Sequence, residues 1–310
     1  MRIFLWALAA LVILVVVGGV AVQFAISRNG PAVLNAVDRL TGGSRGTTVL
    51  ARVSTGDHPS QKVIIWGPEG RAADAEPLPV LLFSHGGSWR SGDPEDYGFL
   101  ARAFVPEGFV VALAGYRLVK EGAKDGVYPA MLEDTASAIA ETRKVAAQYG
   151  GDPDRIMVMG HSAGAYNVVM AALEREWLAE SGDSADALRG VVAMSGPYDF
   201  FPFDSESTIA AFGPAGDPEA TQTFNHVRGD APPILLIHGE KDTLVRPRNS
   251  RGLAKLVEAA GGSATLTLYA EMDHNAPLIS LASPWRSNRD VVQTISAFAK
   301  SATQPRSAPR

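Results

Sequence analysis

Ser162 sits in the middle of Gly160-His161-Ser162-Ala163-Gly164, between the apolar run Arg155–Met159 and an alanine-rich stretch. A serine hydroxyl is a weak nucleophile unless it is held exposed beside a base. A sharp strand-to-helix turn does this, provided the residues two positions away on either side are small. The helix that follows also directs free N–H groups and a partial positive charge at the site. A second cluster, His85-Gly86-Gly87-Ser88-Trp89, follows the apolar run Val80–Phe83. Acyl transfer places negative charge on a former carbonyl oxygen, and backbone N–H groups can stabilise it only where no side chain obstructs them. Adjacent glycines permit that approach. The expected oxyanion donors are Gly86, Gly87 and Ala163.

Each string alone is weak, since a chain with 31 glycines yields such patterns by chance. The base follows by elimination among six histidines. His85 and His161 belong to the two clusters, and His58 and His226 fall in loops. His238 ends the run Pro233–Ile237 and is followed at once by Gly239-Glu240-Lys241-Asp242. His274 follows the last strand-like run and is the expected base. Asp242 is the expected acid, with Asp199 the competitor after the run Gly190–Met194.

These residues need a frame, and the periodicity supplies one. Thr47–Ser54 and Lys62–Trp66, parted by Gly56-Asp57-His58-Pro59, predict an antiparallel hairpin. Val80–Phe83, Phe109–Ala114, Arg155–Met159, Gly190–Met194, Pro233–Ile237 and Ala264–Tyr269 predict buried strands. Helices are expected over Asp96–Val105, Pro129–Tyr149, Ala163–Glu180, Pro247–Ala260 and Asn288–Lys300. Continuous apolar strands alternating with helices mean an α/β protein with a mostly parallel sheet covered on both faces. The stretch 196–232 breaks the rhythm. Its aromatics argue for a small cap over the site, and Tyr198, Phe200, Phe201 and Phe203, with Trp89, are candidates to line a substrate pocket.

Composition narrows the chemistry. The chain of 310 residues has no cysteine, which removes disulfides, thiolate nucleophiles and Cys-based metal sites. A net charge of −5 with no long basic run gives no reason to expect a nucleic-acid partner. No metal or organic cofactor is expected. From Ile3 to Ile26 there is no charged residue. As a helix this stretch would span roughly 36 Å, enough to cross a membrane. It predicts a membrane anchor within residues 1–28, with the catalytic domain outside the cytoplasm. Alternatively, Gly19-Val20-Ala21 is a small-x-small pattern that suits cleavage, and the mature protein is then secreted or periplasmic. Residues 29–46 read as a linker, 47–300 as one catalytic domain, and 301–310 as a disordered tail.

Residues 60–300 resemble the α/β-hydrolase superfamily, in particular the hormone-sensitive-lipase-like esterases and the related BD-FAE and kynurenine-formamidase-like hydrolases. The matching stretches are His85-Gly86-Gly87-Ser88-Trp89, Tyr116-Arg117-Leu118, Pro129-Ala130 with Asp134, Gly160–Gly164, and His238-Gly239 with Asp242. The chain order Ser162, Asp242, His274 is that of α/β-hydrolases. Ser88 replaces a third glycine, and Val119-Lys120-Glu121 replaces Ala-Pro-Glu; both departures favour the BD-FAE-like branch. The resemblance implies hydrolysis of a small-molecule carboxylic ester by a Ser-Asp-His triad, with Tyr116, Arg117 and Asp134 as scaffold. An amidase, formamidase or peptidase would use the same triad. A non-catalytic binding module on this fold is the reading from another class.

Overall fold

In the computed structural model, which describes residues 23–26, 28–42, 46–72, 74–120 and 125–304, the sheet is built as its strands' composition requires. The strands are β1 (Thr47–Ser54), β2 (Lys62–Pro68), β3 (Leu78–Ser84), β4 (Val110–Ala114), β5 (Gly151–His161), β6 (Gly190–Met194), β7 (Ile234–Gly239) and β8 (Ala264–Tyr269). Their order is β1-β2-β4-β3-β5-β6-β7-β8. β2 pairs antiparallel with β1 and with β4, and from β4 through β3 to β8 every pairing is parallel. This is the α/β-hydrolase fold. The expected hairpin is present, with Ser54 opposite Lys62.

Side chains alternate across each strand, so both faces of the sheet must be covered. Val80 and Leu82 of β3 pack on one side with Ile139, Val168 and Leu253; Leu81 and Phe83 pack on the other with Phe99, Val292 and Ile295. The covering helices are α1 (28–40), α2 (Gly98–Phe104), α3 (Ala130–Val145), α4 (Ala163–Leu173), α5 (Arg175–Glu180), α6 (Glu206–Phe212), α7 (Arg248–Ala259), α8 (Ala276–Ile279) and α9 (Asp290–Ala302). The helix expected over Ala163–Glu180 is two, because Glu174 leaves helical geometry (φ −95°, ψ 109°). Its side chain caps α5 at the Glu176 N–H.

Two boundaries differ from expectation. The segment 29–46 is not a plain linker, since its first part is α1, docked on the domain. Leu34 enters the core beside Phe99, and Asp38 is fully buried between Arg102, Arg286 and the N–H of Ser283. Asn29-Gly30-Pro31, within its first turns, and Gly42, just past its end, are residues typical of turns, which is why the sequence reads as a connector. At the other end, α9 continues to Ala302, and the Arg189 guanidinium bonds the carbonyls of Ala302 and Gln304. Residues 301–304 of the expected disordered tail are thus ordered against the domain, and 305–310 lie outside the described residues. The expected anchor Ile3–Ile26 likewise lies outside them, apart from 23–26. Among the described residues no helix is long and apolar enough to cross a membrane.

Asp38 supplies a test of the α1 docking. Asp38→Ala leaves the buried Arg102 without its counter-charge, which costs about 3–5 kcal/mol. Urea unfolding should show that loss; a change below about 1 kcal/mol, the scale of a surface pair, contradicts it.

Candidate active site

β5 runs into α4 through Ser162, whose backbone takes φ 54° and ψ −122°. Such a conformation costs a non-glycine residue about 1–3 kcal/mol and persists only where its surroundings enforce it. The enforcement is packing. A Cβ on Gly164 would stand 2.1 Å from the Ser84 carbonyl oxygen at the end of β3, and one on Gly160 would stand 2.2 Å from the Gly164 oxygen. The two glycines let strand, helix and neighbouring strand close around the turn. The Ser162 N–H also bonds the Met194 carbonyl of β6 at 2.8 Å.

The Ser162 Oγ lies 2.9 Å from His274 Nε2, and His274 Nδ1 lies 2.7 Å from Asp242 Oδ2. All three residues are buried. Asp242 is saturated: its Oδ1 accepts from the N–H groups of Leu244 and Val245, at 3.0 and 2.9 Å. Its Oδ2 also faces His238 Nε2 at 3.1 Å. Burial pushes the Asp242 carboxyl up, but the hydrogen bonds from His238 and His274 outweigh it and hold the group well below the usual carboxylate range. The site therefore contains a fixed carboxylate, an imidazole oriented by it and a hydroxyl within that imidazole's reach. Such a chain can move a proton off the hydroxyl and stabilise the cation that forms. Asp199, the competing acid, is exposed on the cleft rim, where its N–H bonds Asn249 Oδ1 at 3.0 Å.

The Gly86-Gly87 loop packs directly over this turn. A Cβ on Gly86 would stand 3.2 Å from Ser162 Cβ, and Gly87 has φ 112° with no room for a side chain beside the Ser91 carbonyl. Ser88 and Trp89 also take positive φ, 54° and 58°, so the serine that replaces a third glycine adopts a left-handed backbone. Among the described residues, the N–H groups of Gly86, Gly87 and Ala163 donate no turn or loop hydrogen bond. The loop is fixed from below. The Tyr116 hydroxyl donates to the His85 carbonyl at 2.9 Å and its ring stacks on the imidazole at 4.5 Å. Asp134 clamps the Arg117 guanidinium and its backbone N–H, and also accepts from Gln61 at 2.6 Å.

The cap supplies one wall. Its α6 starts with a capping box of Ser205 and Thr208, an element the sequence reading did not resolve. Phe212 of α6 meets Trp89 edge-on at 4.7 Å, and Phe200 and Phe203 join the cluster. One arm of the cleft at Ser162 is lined by Trp89, Phe200 and Phe201, with Arg246, Arg248 and Asn249 beyond. Tyr198 is a correction: it is wholly buried in the core beneath the sheet's end and does not line the cleft. Phe203 stands behind Phe200 and Phe201 and is likewise off the wall.

Two histidines carry roles that the sequence reading did not assign. His238 receives a hydrogen bond from Ser250 Oγ at Nδ1 (2.7 Å), so its Nε2–H points to the Val245 carbonyl (2.7 Å) and to Asp242. His161 donates from Nε2 to the His274 carbonyl at 3.0 Å, tying the Ser162 turn to the loop that bears the base. The spacing of His238 four residues before Asp242 was the available signal.

His85 and His161 are fully buried, and desolvation lowers them from 6.5 to about 4 and about 3. In the unfolded chain both take up a proton near pH 6.5, whereas the folded protein refuses it until far lower pH. Stability is therefore fully present above pH 6.5 and falls with pH below it, with a slope that steepens toward about 3 kcal/mol per pH unit for the two together. Urea unfolding between pH 6.5 and 5 should show this slope, and His85→Asn should roughly halve it. A stability that stays flat over that window contradicts the buried neutral state.

Comparison with known proteins finds esterases among the similar chains. Esterase LipQ of Mycobacterium tuberculosis (strain ATCC 25618 / H37Rv) is 31% identical over 264 residues, covering 76% of this chain and 61% of LipQ. The probable isoprenylcysteine alpha-carbonyl methylesterase ICMEL1 of Arabidopsis thaliana is 25% identical over 259 residues, covering 76% of this chain and 52% of its own length. The chain thus spans less than two thirds of either relative. Among solved structures, Thermogutta terrifontis esterase 2 phosphonylated by sarin superposes with a TM-score of 0.68 at 19% identity, covering 84% of this chain and 96% of that one. The BD-FAE family model matches residues 69–257, from just after β2 through the Gly86-Gly87 loop and the Asp242 turn into α7, and the chain belongs to the BD-FAE family.

Proposed function

We propose that this protein is a serine hydrolase that cleaves carboxylic esters of short to medium acyl chain through an acyl-enzyme intermediate. The observation that carries the reading is the unbroken chain from Ser162 Oγ to His274 and on to Asp242, at 2.9 and 2.7 Å, beneath a loop with unused N–H groups. Ser162 attacks the ester carbonyl while His274 Nε2 takes its proton. Asp242 holds the His274 tautomer and stabilises the imidazolium, and His238 keeps Asp242 turned toward it. The N–H groups of Gly87 and Ala163, with Gly86 beside them, receive the oxyanion. His274 then returns its proton to the departing alkoxide, and water, deprotonated by the same imidazole, releases the acid. No step calls on a metal or an organic cofactor.

The small cap and the aromatic wall of Trp89, Phe200 and Phe201 favour short and medium acyl groups, because nothing in 196–232 is large enough for the lid of an interfacial lipase. The esterase relatives support ester over amide substrates. The uncharged stretch Ile3–Ile26 supports a membrane-tethered or exported form with the catalytic domain outside the cytoplasm.

Ser162→Ala should abolish labelling by a fluorophosphonate probe and lower kcat by about 10⁴–10⁶-fold, since nucleophile, base and acid act as a unit. Undiminished labelling would move the nucleophile elsewhere. Asp242→Asn should keep the fold and cost on the order of 10⁴ in kcat, by analogy with the same change in serine proteases. Asp199→Asn, which touches neither His274 nor Ser162, should cost less than about tenfold on the same ester. The reverse ranking would make Asp199 the acid.

A further inference from the structure

The cleft has a second arm at Ser162, and its wall is unusual in where it comes from. It is lined by Gly86, Gly87, His161, Ser162 and His274 on one side, and by residues 28–31 at the start of α1 on the other. That short stretch is held rigidly. Asn29 donates to Asp96 at 2.7 Å, Asn35 donates to the Glu95 carbonyl at 3.1 Å, and Asp38 is locked to the buried Arg102. Immediately before it, Phe24 and Ile26 are exposed, 60% and 46%, with the Arg28 guanidinium 4.9 Å from the centre of the Phe24 ring. Leu244, 71% exposed, lines both arms, and Phe201, 43% exposed, stands at the lip of the first. Leu244 and Phe201 at the opening, with Ile26 two residues before its wall, are large apolar side chains exposed together, and such a grouping marks a surface that meets something apolar.

The sequence says what that is. Ile3–Ile26 carries no charge and is long enough to enter a bilayer, and only two residue steps, at most about 7 Å of chain, separate Ile26 from Arg28 in the cleft wall. We propose that the face bearing the cleft mouth rests on the lipid bilayer, with Phe24, Ile26, Leu244 and Phe201 at the interface. The substrate, on this reading, is an amphiphilic ester that reaches Ser162 from the membrane through the arm walled by residues 28–31. The proposal rests on the hydrolase reading above. Asp93 on the rim is paired with Lys62, and the other rim charges balance, with Asp96, Asp199 and Asp204 against Arg28, Arg246 and Arg248, so docking does not require anionic lipid. The short tether does the work: it keeps the mouth at the interface rather than leaving the domain to diffuse above it.

The test uses the full chain in phosphatidylcholine vesicles carrying hexadecyl acetate, a short acyl group on a lipid alcohol, with water-soluble p-nitrophenyl acetate as the reference. A spacer of about 20 Gly/Ser residues inserted between Ile26 and Ser27 has a mean span of roughly 25 Å and releases the mouth from the surface. The spacer should lower hydrolysis of the vesicle-borne ester at least about tenfold, by diluting the domain away from the interface, and leave p-nitrophenyl acetate turnover unchanged. Phe24→Asp with Ile26→Asp should act in the same direction. Equal rates on hexadecyl acetate with and without the spacer overturn the proposal, as does failure of the unaltered chain to float with the vesicles. No turnover of p-nitrophenyl acetate by the unaltered chain would instead sink the hydrolase reading, and flotation, scored separately, tells the two failures apart.

Discussion

The close approach of the Ser162 turn to the end of β3 is the constraint on which the site depends. Ser162 holds a backbone conformation that it would not adopt alone, because Gly160 and Gly164 let β5, α4 and the Ser84 carbonyl pack without a side chain between them. That contact lifts the hydroxyl out of the sheet and starts α4 behind it. It also brings the Gly86-Gly87 loop, the continuation of the same β3, over the serine. The proposed nucleophile and the proposed oxyanion donors are thus positioned by one contact between neighbouring parallel strands. Strain at Ser162, Ser88 and Trp89 is concentrated where the chemistry is proposed, and the buried sheet beneath offsets it.

The charged part of the site is built on the opposite principle, saturation in place of strain. Asp242 is buried, yet four donors meet its two oxygens, so a carboxylate that burial would otherwise neutralise stays ionised. His238 and His161 extend the order outward. One fixes the Asp242 carboxylate, and the other fixes the backbone of the loop that carries His274, the proposed base. Neither needs to touch a substrate to matter, because a base misplaced by about 1 Å loses orders of magnitude in rate.

Much of this was legible in the residues. The strands Gly190–Met194 and Ala264–Tyr269 appear where the apolar runs placed them, because buried parallel strands leave little choice of residue. Ser162, Asp242 and His274 were found from position after strands and from chain order, and the fold brings all three together. What was not legible depends on tertiary packing. α1 read as a linker because its stability comes from Asp38 meeting Arg102 and Arg286, residues 64 and 248 positions away in sequence. Tyr198 read as a pocket aromatic, since sequence cannot tell a ring under the sheet's end from one facing the cleft. α6 escaped because its seven residues show no full apolar stripe, and its capping box was the only local signal.

Covalent acyl transfer to Ser162 is the central claim, and it is tested most directly by trapping the acylated protein. Rapid acid quench during p-nitrophenyl butyrate turnover, followed by peptide mass mapping, should find one butyryl group on the peptide containing Ser162. It should accompany a burst of nitrophenolate matching the enzyme concentration whenever deacylation is the slower step. An acyl group mapped to any other residue, or steady turnover with a burst and no acylated peptide at all, would contradict the account.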